Sequence, residues 1–266
     1  MNYISQILQE KRQNSTCALI PFVTAGYPNI DITLDVLYTL DQQGADIIEL
    51  GIPYSDSVAD GPIIQQSSKI ALEQGIYIDQ VLKLLDGVKS KLSVPIVIFT
   101  YYNPILVRGI NRFIEEISLR GVKGLIVPDL PIEETDYLIY LCSQYSIELI
   151  LFVAPTSSKS RISHILSKAP GCVYLVSSTG VTGIRNDVNH EIDSLSSYIK
   201  SSTGKLIMLG FGISNVSQVT KVSNWDIDGL VIGSAFTRIL SSNLSYDIGV
   251  KSLGSFCREI KSAIKN

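Results

Sequence analysis

The residues best placed to do chemistry are two carboxylates in one short segment, Ile48–Gly61, which reads IELGIPYSDSVADG. Glu49 sits inside the apolar run Ala45–Pro53, and Asp60 lies on the Ser/Asp/Gly-rich stretch that follows. Ile and Leu around a carboxylate predict a buried strand position, and burial disfavours the charged form. A carboxyl group poised in this way can give and take a proton near neutral pH. Asp60 is near enough in sequence to fold back over the end of the same strand. One carboxylate fixed on a strand and one carried by a loop suit acid–base chemistry on a small polar substrate. The same two residues also fit plainer roles. Glu49 could pair with a Lys or Arg at a strand end, and Asp60 could cap a helix running from Ile63 onward.

A framework able to position them is legible along the whole chain. Eight short apolar runs alternate with helical stretches: Cys17–Ala25, Ala45–Pro53, Pro95–Asn103, Gly124–Leu130, Ile147–Pro155, Cys172–Ser178, Lys205–Gly212 and Gly229–Phe236. Near-continuous apolar character is expected of parallel strands covered on both faces. Between them, Ile32, Val36, Leu37 and Leu40, and later Val81, Leu82, Leu84, Leu85 and Val88, recur at helical spacing. Asn29 and Asp31, then Ser214 and Asn215, mark helix starts, and the stretch from Asp60 to Pro95 has room for one extra helix. The opening MNYISQILQEKRQNS reads as a short amphipathic helix without the apolar core of a signal peptide. Eight strand–helix units predict an α/β fold: a single (β/α)8 barrel over residues 1–266 with an extra N-terminal helix. A doubly wound open sheet fits less well, because no GxGxxG follows the first strand.

Such barrels keep their active sites at the C-terminal ends of the strands. Here those ends carry Thr100–Asn103, Pro128–Asp129, Ser177–Gly183, Gly210–Ser214 and Gly233–Ala235. Glycines let the backbone approach an anion, and helix starts present N–H groups to it. Gly183, Gly212, Gly233 and Ser234 are therefore phosphate-site candidates, with Thr182 and Asp129 as further substrate-binding positions. Phe22, Tyr101, Tyr174 and Phe211 lie on or at strand ends and could wall an aromatic substrate.

Composition narrows the classes. The chain has 266 residues, 45% hydrophobic and 18% charged, with a net charge of −3. That balance carries no basic footprint for nucleic acid, and no apolar run is long enough to span a bilayer. Cys17, Cys142, Cys172 and Cys257 are scattered as reduced, mostly buried thiols would be, and His164 and His190 have no second ligand near them in sequence. No metal site is expected, and the chain reads as intracellular. Its Ile-, Ser- and Asn-rich usage matches an AT-rich genome such as a plastid's.

With these residues in view, the chain resembles the tryptophan synthase alpha chain family over essentially its whole length. The blocks are PFVTAGYP (Pro21–Pro28), IELGIPYSDSVADGPIIQ (Ile48–Gln65), TYYNPI (Thr100–Ile105), PDLP (Pro128–Pro131), YLVSSTGVTG (Tyr174–Gly183), GFGIS (Gly210–Ser214) and GSA (Gly233–Ala235). The resemblance implies retro-aldol cleavage of indole-3-glycerol phosphate to indole and glyceraldehyde 3-phosphate, in tryptophan biosynthesis. It assigns general acid–base catalysis to Glu49 and stabilisation of the protonated indole to Asp60. Gly183, Gly212, Gly233 and Ser234 match phosphate positions, while Phe22, Tyr101, Tyr174 and Phe211 match positions around indole and glycerol. It also implies a pyridoxal-phosphate beta chain as partner in an α2β2 assembly, indole passed to that partner, and no cofactor in this chain. Loops Pro53–Asp60 and Ser178–Asn189 would close over substrate. Ser178 replaces an Arg found in some members, which bears on how the second loop locks. A sugar-phosphate isomerase or epimerase would lean on His, Lys or metal at the strand ends, where this sequence offers few. A stand-alone lyase and a non-catalytic activating subunit are the other readings.

Overall fold

β-Branched and aliphatic residues on both faces of each apolar run make it a strand buried on two sides. The strands are β1 (Ala18–Thr24), β2 (Ile48–Gly51), β3 (Ile96–Phe99), β4 (Gly124–Ile126), β5 (Glu148–Val153), β6 (Val173–Val176), β7 (Ile207–Gly210) and β8 (Gly229–Ile232). They come from a computed structural model that describes residues 2–176, 190–210, 212–241 and 245–265. All pair in parallel with their sequence neighbours, and β8 returns to β1, so the sheet closes into an eight-stranded barrel. This is the (β/α)8 architecture the sequence predicts.

Side chains alternate across the barrel wall. Ile48 and Leu50, Ile96 and Ile98, and Leu149 and Leu151 join the layer between strands and helices. Ile20 and Phe22, Ile47, Val97, Ile150, Tyr174, Met208 and Val231 form a separate inner cluster. The predicted helical stripes are the buried faces of Ile30–Gln42 and Ile78–Val88. Asn29 and Asn215 cap their helices, accepting from Ile32 N at 2.9 Å and Gln218 N at 3.0 Å. Two helices, Pro62–Glu73 and Ile78–Val88, fill the long connection between β2 and β3.

The N-terminal helix Tyr3–Gln13 lies against the foot of the barrel, where Ile4 and Leu8 are fully buried in the inner cluster. Polar groups tie it down. Glu148, at the start of β5, accepts from Ser5 N (3.0 Å), Ser5 Oγ (2.6 Å) and Cys172 N (2.7 Å). Asp228, just before β8, accepts from Arg12 Nε (2.8 Å), Lys200 Nζ (2.6 Å) and Ile207 N (2.7 Å). Asp46, leading into β2, accepts from Leu19 N (2.7 Å) and pairs with Lys11 (2.6 Å) and Lys261.

The strands are shorter than the apolar runs suggest, and the difference falls mainly at the C-terminal ends. Thr100 and Tyr101 leave the sheet after β3, and Tyr102 opens the helix Tyr102–Arg108. The predicted tail of β8 is likewise helical, because Ser234–Phe236 begin Ser234–Ser241, an extra helix before Tyr246–Lys265. Apolar character runs past the last ladder bond because these tails stay buried: Thr100 and Tyr101 after β3, and after β8 Ala235 and Phe236, which join the outer layer where Phe236 meets Phe256 at 5.1 Å. All four cysteines are free and buried. Among the described residues no helix is long and apolar enough to cross a membrane.

Candidate active site

Parallel register sets the first residue of the site. Glu49 pairs across to Phe22 on β1 and Val97 on β3, both members of the inner cluster, so its side chain enters the barrel from the same face. It is 1% exposed, and Oε2 finds no hydrogen-bond partner among the described residues. Desolvation without compensation pushes its pKa from 4.5 up to about 8, with the negative charge of Asp60 as the second cause. Among the described residues no cation contributes, and none pairs with Glu49 as the strand-end alternative required.

Asp60 reaches the site from the loop after β2. Its N–H donates to Ser57 O at 3.1 Å, and Gln65 Nε2 donates to Ser57 O (3.2 Å) and Asp60 O (3.0 Å), which winds the loop onto the helix Pro62–Glu73. That helix has Gly61 as its N-cap and no side-chain cap bond, so capping is not the role of Asp60. The carboxylate accepts instead from the Tyr101 hydroxyl, at 3.1 Å on Oδ2. Burial raises Asp60 from 3.8 to about 6, against the lowering effect of that bond. The two carboxyl groups thus stand on either side of neutrality, one protonated and one ionised at pH 7.

Aromatic rings line the mouth around them. Tyr101 is 2% exposed, with its ring 5.3 Å from Tyr54 and edge-on to Phe99 at 6.2 Å. Phe99 in turn meets Phe22 edge-on at 5.7 Å, and Phe152 lies 4.9 Å from Tyr174. The Tyr174 phenol is held neutral chiefly by burial, then by the charges of Glu49 and Asp60, which places it in the field of both carboxylates. Two glycines make room for these rings. A Cβ on Gly51 would lie 2.6 Å from Phe22 Cζ, and one on Gly210 would lie 2.3 Å from Tyr174 Cε1.

At the other side of the mouth, Gly233 ends the β8 turn and Ser234 begins a helix whose first-turn carbonyl partner is Gly233 O, accepting from Thr237 N at 3.1 Å. The N–H groups of that turn have no partner within the helix, as at any helix start. Gly212 follows β7, ahead of the helix Val216–Val222. Gly212, Gly233 and Ser234 are all partly exposed. Thr182, Gly183 and Phe211 lie outside the described residues, as do Ser178 and the second predicted closing loop.

The structure therefore brings Glu49, Asp60, Phe22, Tyr101 and Tyr174 together. Asp129 is exposed and accepts from Tyr102 N at 2.9 Å, and its charge acts on Tyr101. Residue-by-residue reading missed Tyr54, Phe99, Phe152, Gly51 and Gly210. The period-two alternation held the signal for two of them, since Phe99 follows Val97 and Phe152 follows Ile150 on the inner face. Among the described residues no group of three or more His, Cys, Asp and Glu side chains could hold a metal ion.

Paired carboxyl groups of opposite protonation, set beside an aromatic wall where barrel strands end, define a (β/α)8 enzyme site suited to general acid–base work. Comparison with known proteins makes the class specific. The family model described as tryptophan synthase alpha chain matches residues 8–265. The tryptophan synthase alpha chain of Gracilaria tenuistipitata var. liui is 60% identical over 99% of this chain and 97% of its own length. That of Synechocystis sp. is 46% identical over 99% of this chain and all of its own. Among solved structures, Mycobacterium tuberculosis tryptophan synthase superposes with a TM-score of 0.91 at 28% identity, covering 100% of this chain and 99% of that one. The chain belongs to the tryptophan synthase alpha chain family.

Proposed function

We propose that the chain cleaves indole-3-glycerol phosphate to indole and glyceraldehyde 3-phosphate by a retro-aldol reaction, with Glu49 as general acid and base. The observation that carries this reading is a carboxyl group buried with one oxygen unpartnered among the described residues, beside a second carboxylate that accepts from the Tyr101 hydroxyl. Burial pushes the first up to about 8 and the second to about 6, so Glu49 is the readier proton donor and Asp60 the readier anion. Glu49 gives its proton to the indole carbon that bears the glycerol chain. Asp60 accepts the indole N–H and stabilises the positive charge that this protonation creates. The bond between that ring carbon and the glycerol chain then breaks, its electrons returning to the ring. The proton of the adjacent glycerol hydroxyl passes to the Glu49 carboxylate, which restores the acid and forms the aldehyde. Burial suits the residue that shuttles protons, and the Tyr101 bond suits the one that must remain charged.

In this reading Phe22, Tyr101, Tyr174 and Phe211 surround the indole and glycerol parts. Gly183, Gly212, Gly233 and Ser234 receive the phosphate, and Thr182 and Asp129 are further substrate-binding positions. Residues 1–266 act as one barrel domain, and no cofactor or metal enters the step. The partner is a pyridoxal-phosphate beta chain in an α2β2 assembly that takes the indole, with no nucleic acid or membrane involved. The compartment is the plastid stroma or the cytoplasm, and the Gracilaria relative fits the former.

The test is glyceraldehyde 3-phosphate release from indole-3-glycerol phosphate, with and without a tryptophan synthase beta chain. Slow release that rises strongly with the partner is the expected result. No release under either condition contradicts the reading, and fast release indifferent to the partner replaces the α2β2 part with a stand-alone lyase.

A further inference from the structure

Asp60 is the one member of the carboxylate pair that a loop carries, so its aim depends on what holds that loop. Within the loop, Val58 N donates to Asp56 O and Asp60 N to Ser57 O, and Gln65 Nε2 donates to Ser57 O and Asp60 O; these bonds fix backbone and leave the carboxylate free to turn. The constraint on the carboxylate itself comes from another strand. Tyr101 Oη accepts from Ala59 N at 3.0 Å and donates to Asp60 Oδ2 at 3.1 Å. A phenol has a single proton to give. With Ala59 N–H occupying its acceptor side, that proton is directed at Asp60.

The phenol is also rigidly held. Its ring packs on Tyr54 and edge-on against Phe99, and Asn103 Nδ2 donates to Tyr54 Oη at 3.3 Å. The next residue, Tyr102, is anchored through its N–H to Asp129 Oδ1 at 2.9 Å. Two residues past the end of β3, Tyr101 and Asn103, therefore grip the loop after β2 at Tyr54, Ala59 and Asp60. A hydroxyl fixed in this way takes Oδ2 and leaves Oδ1 as the oxygen that meets the substrate N–H.

We propose that Tyr101 is a positioning residue whose hydroxyl, pinned by the Ala59 N–H, aims the Asp60 carboxylate and keeps it ionised for the charge-stabilising step. The inference rests on the lyase reading for its catalytic consequence, while the Tyr101–Asp60 link stands on geometry alone. It also gives Asp129 a role, as the anchor of Tyr102 behind the phenol. Among the described residues, the titratable groups around Asp60 are Glu49, Tyr101 and Tyr174, with Asp129 acting on Tyr101. Only Tyr101 lowers the proton affinity of Asp60; burial opposes it.

Tyr101→Phe in the full chain keeps the ring and removes the hydroxyl. The expected result is a kcat about 10- to 100-fold lower, a KM for indole-3-glycerol phosphate little changed, and an acid limb of the pH–rate profile displaced to higher pH. In the ligand-free protein, the ¹³C carboxyl titration of Asp60 should move up in the same direction. Should the variant fold poorly, 3-fluorotyrosine placed at position 101 has nearly the same shape and a stronger donor, and should move that titration down. An unchanged Asp60 titration in both proteins overturns the link, and a loss confined to KM makes the hydroxyl a binding contact only. Should the wild-type chain release no product, the lyase reading fails, while the ligand-free titration still decides the link.

Discussion

At the foot of the barrel Glu148 is fully buried and accepts three hydrogen bonds, and nearly buried Asp228 meets Arg12, Lys200 and the Ile207 N–H. At the mouth Glu49 is just as buried, yet among the described residues one of its oxygens has no partner and no cation stabilises its charge. The two ends use the same chemical group for opposite purposes. A buried charge is retained when donors and cations surround it, and it is neutralised by a proton when they do not. The basal carboxylates fasten the helix Tyr3–Gln13 and the strand starts. The carboxyl at the mouth is left with a proton it can exchange.

Breaking each end in turn should give opposite profiles, and the largest effect is expected at the mouth. Glu49→Gln should lower glyceraldehyde 3-phosphate release by about 10²- to 10⁴-fold, the range of a lost general acid–base group, without loss of folding. Its stability should also lose a pH dependence. The folded-state pKa of Glu49 lies above its ordinary 4.5, so its contribution is full below that value and vanishes as pH rises through about 8. Urea unfolding of the two proteins across this range reads the difference, and equal slopes would count against an uncompensated carboxyl.

Asp228→Ala is the counterpart at the foot. It strips Arg12, Lys200 and the Ile207 N–H of their shared acceptor and should cost about 3 kcal/mol of stability. Turnover per folded molecule should stay near wild type. A variant with intact stability and lost turnover would reverse the assignment of the two ends.

Gly210→Ala gives the smallest expected change and sharpens the geometry of the mouth. Its Cβ would enter the space of Tyr174, whose ring must shift at a cost of about 1–3 kcal/mol. The displaced ring should raise KM for the substrate. Crystallography of the variant with Tyr174 unmoved would contradict the packing described here.

Much of this contrast was legible in the chain, for uneven reasons. Two-sided apolar runs identified all eight strands, because a strand covered on both faces has to be apolar throughout. The same rule overran their ends: Thr100, Tyr101, Ala235 and Phe236 leave the sheet yet stay buried, so burial alone does not mark where the ladder stops. Glu49 stood out because a carboxylate among Ile and Leu is costly. Glu148 and Asp228 did not, because their partners Ser5, Arg12, Cys172 and Lys200 are distant in sequence and meet only when the barrel closes. Gly51 and Gly210 were unreadable as space-makers for the same reason, as the rings they admit belong to neighbouring strands. The Tyr101–Asp60 bond crosses from one strand end to the next, beyond the reach of any local pattern.

The most direct test of the account is the proton affinity of Glu49 itself, read by ¹³C carboxyl titration of the ligand-free chain with Glu49→Gln to identify the resonance. The account predicts a midpoint near 8, well above the ordinary carboxylate range. A midpoint in the ordinary carboxylate range, near 4.5, would mean that Glu49 is charged and compensated, and would remove the proton donor on which the proposed chemistry depends.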